Sequence, residues 1–134
     1  MALKYSTTLR NAQLDAITTA VGTSGILRIY SGTRPANVAA AITGTVLAEC
    51  VCNASAFAAA ASGGVLTANA ITNDSSANAS GTATHYRLFQ SNGTTAVIDG
   101  DVSTSGADLN LDNTSINIGQ VVSVTSFTIT AGNA

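Results

Sequence analysis

The chain has 134 residues, of which 46% are hydrophobic, 9% charged and 4% aromatic, with no tryptophan and a formal net charge of −2. That length fits one domain able to bury roughly two thirds of its unfolded surface, so no metal or disulfide staple is needed to build a core. A charged fraction well below the ~25% of ordinary domains, with five basic residues in all, excludes the basic stripe of a nucleic-acid binder and leaves a neutral surface of Ser, Thr, Asn and Ala.

So little charge suits a subunit whose faces are covered in an assembly, since free monomers usually rely on surface charge to stay soluble. No apolar run approaches the ~20 residues that span a bilayer, and the opening MALKYSTTLR lacks the apolar core of an export signal, so the sequence predicts neither a membrane partner nor secretion. It reads as a single β-rich domain over residues 1–134, with an N-terminal arm and helix in 1–22 and the β-sandwich in 23–134.

Residues 6–21 (STTLRNAQLDAITTAV) are the one convincing helix, with Leu9, Ala12, Ala16 and Ala20 on one side and Leu14, Ile17 and Val21 widening the stripe. Ser6 or Thr7 can cap its start, and Gly22 can supply a left-handed closing position. Leu9, Leu14 and Ile17 are expected to dock it on the sheet. A strand follows over 25–32, with Leu27 and Ile29 facing one way and Ile26, Arg28 and Tyr30 the other. Pro35 marks a loop over 33–37, and 38–42 reads equally as a helical turn or as extended chain.

Residues 45–52 (TVLAECVC) read as a strand with both thiols on one face. Their Cα atoms would lie about 6.5–7 Å apart, at or beyond the limit for a bridge, so Cys50 and Cys52 are expected reduced and buried. The next stretch, 53–72, contains a pair of strands about the Ser62-Gly63-Gly64 turn, although the alanines of 56–61 favour helix. The polar run 73–83 reads as a surface loop. A strand over 84–90, the Asn92-Gly93 turn and a strand over 94–102 make the strongest local hairpin signal. The final run, 108–130, alternates apolar and polar residues and should be two hairpin strands broken at Ile118-Gly119-Gln120. The sum is mainly β, a β-sandwich or small, jelly-roll-like β-barrel of about seven or eight short strands behind one N-terminal helix.

Chemistry is scarce. His85 is the single histidine, there is no G-x-S-x-G elbow, and a lone histidine on a strand is ordinarily packed or polar-face. Residues 108–119 place oxygen ligands as a calcium loop begins, but Asn113 stands where glycine is needed and Gly119 where a bidentate glutamate is needed. Asp99 and Asp101 share a strand face and read as solvated. The sequence thus predicts no enzyme, no metal and no cofactor. Its charges are lopsided, with Lys4, Arg10, Arg28 and Arg34 early and Asp99, Asp101, Asp108 and Asp112 late. These four basic residues are the candidate subunit interface, with head-to-tail attraction between copies as its consequence and scattered solvated positions as the plainer reading.

The opening MALKYSTTLRNAQLDAITTAVG, the segment ILRIYSGTRPA, AFAAAASGGVLTANAIT, GTATHYRLF and the ending DLNLDNTSINIGQVVSVTSFTITAGNA together resemble a family of small structural proteins of tailed bacteriophages. The resemblance implies a β-rich virion component made in the host cytoplasm and present in many copies. A decoration or cement protein of the capsid, binding the major capsid protein and copies of itself, is the first expectation. A tail or fibre component is its rival. A carbohydrate-binding adhesin would need exposed aromatics, for which Tyr5, Tyr30, Phe57, Tyr86, Phe89 and Phe127 are the supply.

Overall fold

The computed structural model of the chain describes residues 3–58 and 61–131. Its helix, α1 (Thr7–Val21), starts where the sequence predicts, because extended Ser6 accepts the Leu9 amide on its hydroxyl at 3.2 Å and so satisfies a first-turn donor. Gly22 ends it at φ 72°, ψ −149°, a region essentially reserved for glycine and different from the left-handed helical geometry expected.

The face that α1 buries is rotated from the predicted one. Leu14 and Val21 are in the core and Ile17 packs beside them, but Leu9 is 46% exposed and Arg10 is buried in its place. The reason is a turn with bare glycines. A Cβ on Gly64 would lie 2.5 Å from the Arg10 guanidinium carbon, so the missing side chain is the space the arginine fills. Its Nη2 donates to the Ala131 carbonyl at 2.9 Å, while its aliphatic stem packs as an apolar group would. Two further helix side chains hold the same turn: Asn11 Oδ1 accepts the Gly64 amide at 2.8 Å, and Asp15 Oδ1 accepts the Ala61 amide at 2.6 Å.

Ten short strands follow among the described residues: β1 (Ile26–Tyr30), β2 (Val46–Cys52), β3 (Val65–Thr67), β4 (Ile71–Thr72), β5 (Gly81–Thr82), β6 (His85–Phe89), β7 (Ala96–Ser103), β8 (Leu109–Leu111), β9 (Ser115–Ile116) and β10 (Val124–Thr130). Eight form one mixed sheet in the order β3-β10-β8-β7-β6-β1-β2-β4, curled into a half-barrel, and β5 and β9 pair separately. This is the mainly β class with one N-terminal helix, in barrel-like form.

The two ends of that sheet are neighbours in sequence. β3 pairs with β10 and β4 pairs with β2, yet only residues 68–70 lie between β3 and β4. One segment therefore reaches from one end of the sheet to the other. It also pairs again with the final part of the chain, through the bridge of Asp74 with Val122, one residue out of step with the register of β3 on β10. Between those two contacts the chains separate, and the opening is a shallow pocket of ≈ 190 Å³ lined by Ala68 to Ile71 and Val124 to Phe127.

The core lies inside the curl. Leu27 and Ile29 of β1, Cys50 and Ala48 of β2, and Tyr86 and Leu88 of β6 meet Leu14 and Val21 of α1 and Phe57, Leu66, Leu109 and Phe127 from the far wall. β6 is buried along its whole length, which the other strands are not.

Three local expectations are corrected and one left open is decided. The run 108–118 is not one strand: Asp112 Oδ1 accepts the Asn113 amide and Asn113 Oδ1 accepts the Ser115 amide, so side chains replace the ladder and β9 leaves for β5. The polar run 73–83 is not simply a surface loop, since it contains β5, the Asp74 bridge and the buried Ala77 and Ala83. Residues 38–42, open between a helical turn and extended chain, begin as a turn at Val38 and Ala39, in which Asn37 takes the Ala40 amide on both its backbone and side-chain oxygens, and form no strand. Before the Gly63-Gly64 turn, whose φ values of 61° and 75° suit a tight hairpin, the expected strand over 56–61 is reduced to the bridges of Phe57 with Ala68 and Ser62 with Val65, with 59 and 60 outside the described residues.

Candidate functional site

The polar chemistry of the molecule is concentrated on the convex face of β2-β1-β6-β7, opposite the core. Register places four charged residues in one row across these strands, Glu49, Arg28, Arg87 and Asp99. Two arginines directly opposite each other would repel, but each has a carboxylate on its far side. Arg28 Nε donates to Glu49 Oε2 at 2.6 Å and its Nη1 to the Gly93 carbonyl at 2.8 Å, and its guanidinium lies 5.0 Å from the Phe89 ring centre. Arg87 Nη2 donates to Asp99 Oδ2 at 3.0 Å, and both side chains are almost wholly buried, at 6% and 7% exposure.

What buries them is the β1–β2 connection, residues 31–45, which crosses this face as a strap. Arg87 holds it by donating Nη1 to the Ala40 carbonyl at 2.9 Å and Nη2 to the Asn37 carbonyl at 3.3 Å. Thr84 Oγ1 donates to the Gly32 carbonyl at 2.6 Å, and Arg34 on the strap reaches Asp101 on β7 at 3.2 Å. The second row under the strap is Tyr30, His85 and Asp101, with the His85 ring stacked on Tyr30 at 5.3 Å. His85 is fully buried, and that burial lowers its pKa from the ordinary value.

The proposed interface residues are dispersed by the fold. Lys4 is exposed on the segment before α1, and Arg10 is internal, held by Ala131 and the Gly64 turn. Arg28 is half-buried by Glu49 and Phe89, and Arg34 is exposed in its pair with Asp101. Arg10 thus cannot meet a partner without unfolding its own site, and one pair of the lopsided charges meets within the chain, Arg34 from the early cluster with Asp101 from the late one. The reading of Asp99 as solvated is likewise corrected, because the strap covers it. The sequence reading missed the Arg87–Asp99 pair, because counting outward in step from the Asn92-Gly93 turn brings Arg87 level with Ile98; a register shift between Leu88 and Phe89, whose partners are Ile98 and Ala96, is what brings Arg87 level with Asp99 and His85 level with Asp101.

Cys50 and Cys52 are both free and buried, and burial pushes each thiol up to about 11. Among the described residues no three His, Cys, Asp or Glu side chains converge as a metal site would require, and no helix is long and apolar enough to cross a membrane. The seam pocket is smaller than the ~300–1,000 Å³ of ordinary small-molecule sites and contains no ionisable side chain. Comparison with protein-family models, curated proteins and solved structures gives no match.

Proposed function

We propose that the chain is a structural subunit of a tailed-bacteriophage virion, a decoration or cement protein that binds the major capsid protein and neighbouring copies of itself on the head. The observation that carries this reading beyond the sequence resemblance is the engagement of its arginines within the chain. Arg10, Arg28, Arg34 and Arg87 are bonded within the chain, to Ala131, Glu49, Asp101 and Asp99 respectively. What faces outward is mostly amide, hydroxyl and methyl, together with Leu3, Leu9, Val51, Val65, Ile118 and Val121 and a few charges, Lys4, Arg34, Asp101, Asp108 and Asp112.

Such a surface associates through short apolar contacts and backbone hydrogen bonds, which salt does not screen. The folded chain exposes 6651 Å², close to the ~6,450 Å² of a free-standing monomer of this mass, which suits a unit that folds first and is then added to an assembled shell. Binding only the assembled state stabilises it by mass action, so a modest contribution from each of many copies is enough. The adhesin reading has little to stand on, since Tyr30, Phe57, Tyr86, Phe89 and Phe127 are all buried.

The test mixes purified protein with particles lacking it and measures occupancy over a salt series together with the particles' resistance to heat. Binding on heads that persists at high salt and raises heat resistance is the expected result. Copies found only on tails would replace the cement reading with a tail or fibre component, and no binding to either would remove the virion reading.

A further inference from the structure

We propose that residues 31–45 are an acid-released strap over the β1–β6–β7 face, with His85 as the group that releases it. The inference is independent of the virion reading and rests on how the strap is tied. Every side-chain bond described from the strap to the face beneath ends on a residue beside His85: Thr84 and Arg87 on its own strand, and Asp101 directly across from it on β7. The strap backbone also closes on the ring itself, since a Cβ on Gly44 would lie 3.6 Å from His85 Cε1.

The hydrogen bonds fix the tautomer. Thr84 has one hydroxyl proton and directs it to the Gly32 carbonyl at 2.6 Å, so the 2.9 Å contact with His85 Nδ1 requires Nδ1 to be the donor. Nε2 then carries the lone pair, and it is buried with no protein group bonded to it. Adding a proton there creates a buried N–H without an acceptor and a cation in a place that already holds others. Arg87 on the same strand and Arg34 on the strap repel it, the ring of Tyr30 on β1 stacks against it, and Asp99 and Asp101 on β7 attract it. Asp99 is already engaged by Arg87 and Asp101 by Arg34 of the strap, so the new charge competes with two arginines for the carboxylates, and drawing Asp101 to itself loosens the Arg34 tie of the strap.

With the strap closed His85 stays neutral, and with the strap open it is hydrated and titrates near its free value of ~6.5. The sign follows from this difference. Because the closed form holds the pKa below that of the open form, closure is complete above ~6.5 and is lost as pH falls, the open fraction rising by up to about tenfold per pH unit until the closed-form pKa is passed. Opening would uncover Tyr30, His85, Arg87 and Asp99 together, while the core on the other side of the sheet keeps its own packing.

Hydrogen exchange, corrected for the intrinsic effect of pH, tests this on the full chain between pH 7.5 and 5. Amides of 31–45 should lose protection about tenfold or more over that range while those of β6 and β10 hold theirs. In His85→Phe, which keeps a ring on Tyr30 but cannot titrate, strap protection should not vary over the same range. A strap equally protected at both pH values in the unaltered chain, or one that loosens equally in His85→Phe, overturns the proposal. Should that variant fail to fold, NMR titration of the single histidine decides: a ring that protonates near ~6.5 while the strap stays protected overturns it, and protonation coincident with loss of strap protection upholds it.

Discussion

Tyr86 on β6 stands directly opposite Gly100 on β7, and its ring occupies the space above the bare glycine, where an added Cβ would lie 2.8 Å from both Cε1 and the hydroxyl oxygen. The same ring meets Phe127 edge-on at 5.1 Å, and Phe127 in turn meets Phe57 at 5.4 Å, so the glycine seats one end of an aromatic chain that crosses the inside of the curl. Gly100→Ala should therefore displace the ring and destabilise the fold by about 1–3 kcal/mol, read as a lower urea midpoint at unchanged slope. An unchanged midpoint would mean that the ring has room to tilt.

The rotated face of α1 separates two leucines that the sequence places together. Leu14→Ala should lower stability by about 2–5 kcal/mol, because the side chain is 3% exposed and packed in the core. Leu9→Ala should change it by under ~0.5 kcal/mol in the isolated protein. Denaturant melts of both variants check the pair, and equal losses would restore Leu9 to the docking face.

The two arginine pairs under the strap should differ sharply. Asp99→Ala leaves Arg87 buried beside no carboxylate and should destabilise by about 3–5 kcal/mol, whereas Asp101→Ala removes an exposed pair and should change stability by no more than ~1 kcal/mol. Thermal unfolding of the two variants at one pH separates them. Comparable losses would show that the strap is held as firmly at its Arg34 end as at Arg87.

Both thiols should react slowly in the native protein at pH 8 and completely, two per chain, once it is denatured. Their raised pKa values also set an alkaline limb. The unfolded thiols ionise at their ordinary value near 9 while the folded ones wait until about 11, so the unfolded chain binds fewer protons in that window and stability falls as pH rises through it. Rapid native labelling, or a flat stability profile above pH 9 in the unaltered chain but not in a Cys50→Ala, Cys52→Ala variant, would contradict this.

What could be read from the sequence was whatever is set by local rules. Ser6, the start of α1, the alternation of Leu27 and Ile29 and the turns at Gly63-Gly64 and Asn92-Gly93 are all decided within a few residues, and the structure has each of them. What escaped depends on partners distant in sequence. Arg10 is buried because a glycine turn from residue 64 leaves it room, and Asp99 is dry because a strap from residues 31–45 covers it. Neither fact has a local signature. The last run was misjudged for a different reason: its alternation continues through Asp112 and Asn113, where side-chain bonds to the backbone compete with pairing and win.

The position of β10 bears on how the chain is made. It is the last made of the ten strands described, and it lies between β3 and β8, so until residues 124–130 arrive both of those strands lack the partner that joins them. A chain truncated before Val124 would thus expose two sheet edges at once, both open to pairing with another nascent chain. Synthesis through β10, and not merely through β8, is the step that closes the gap between those two strands.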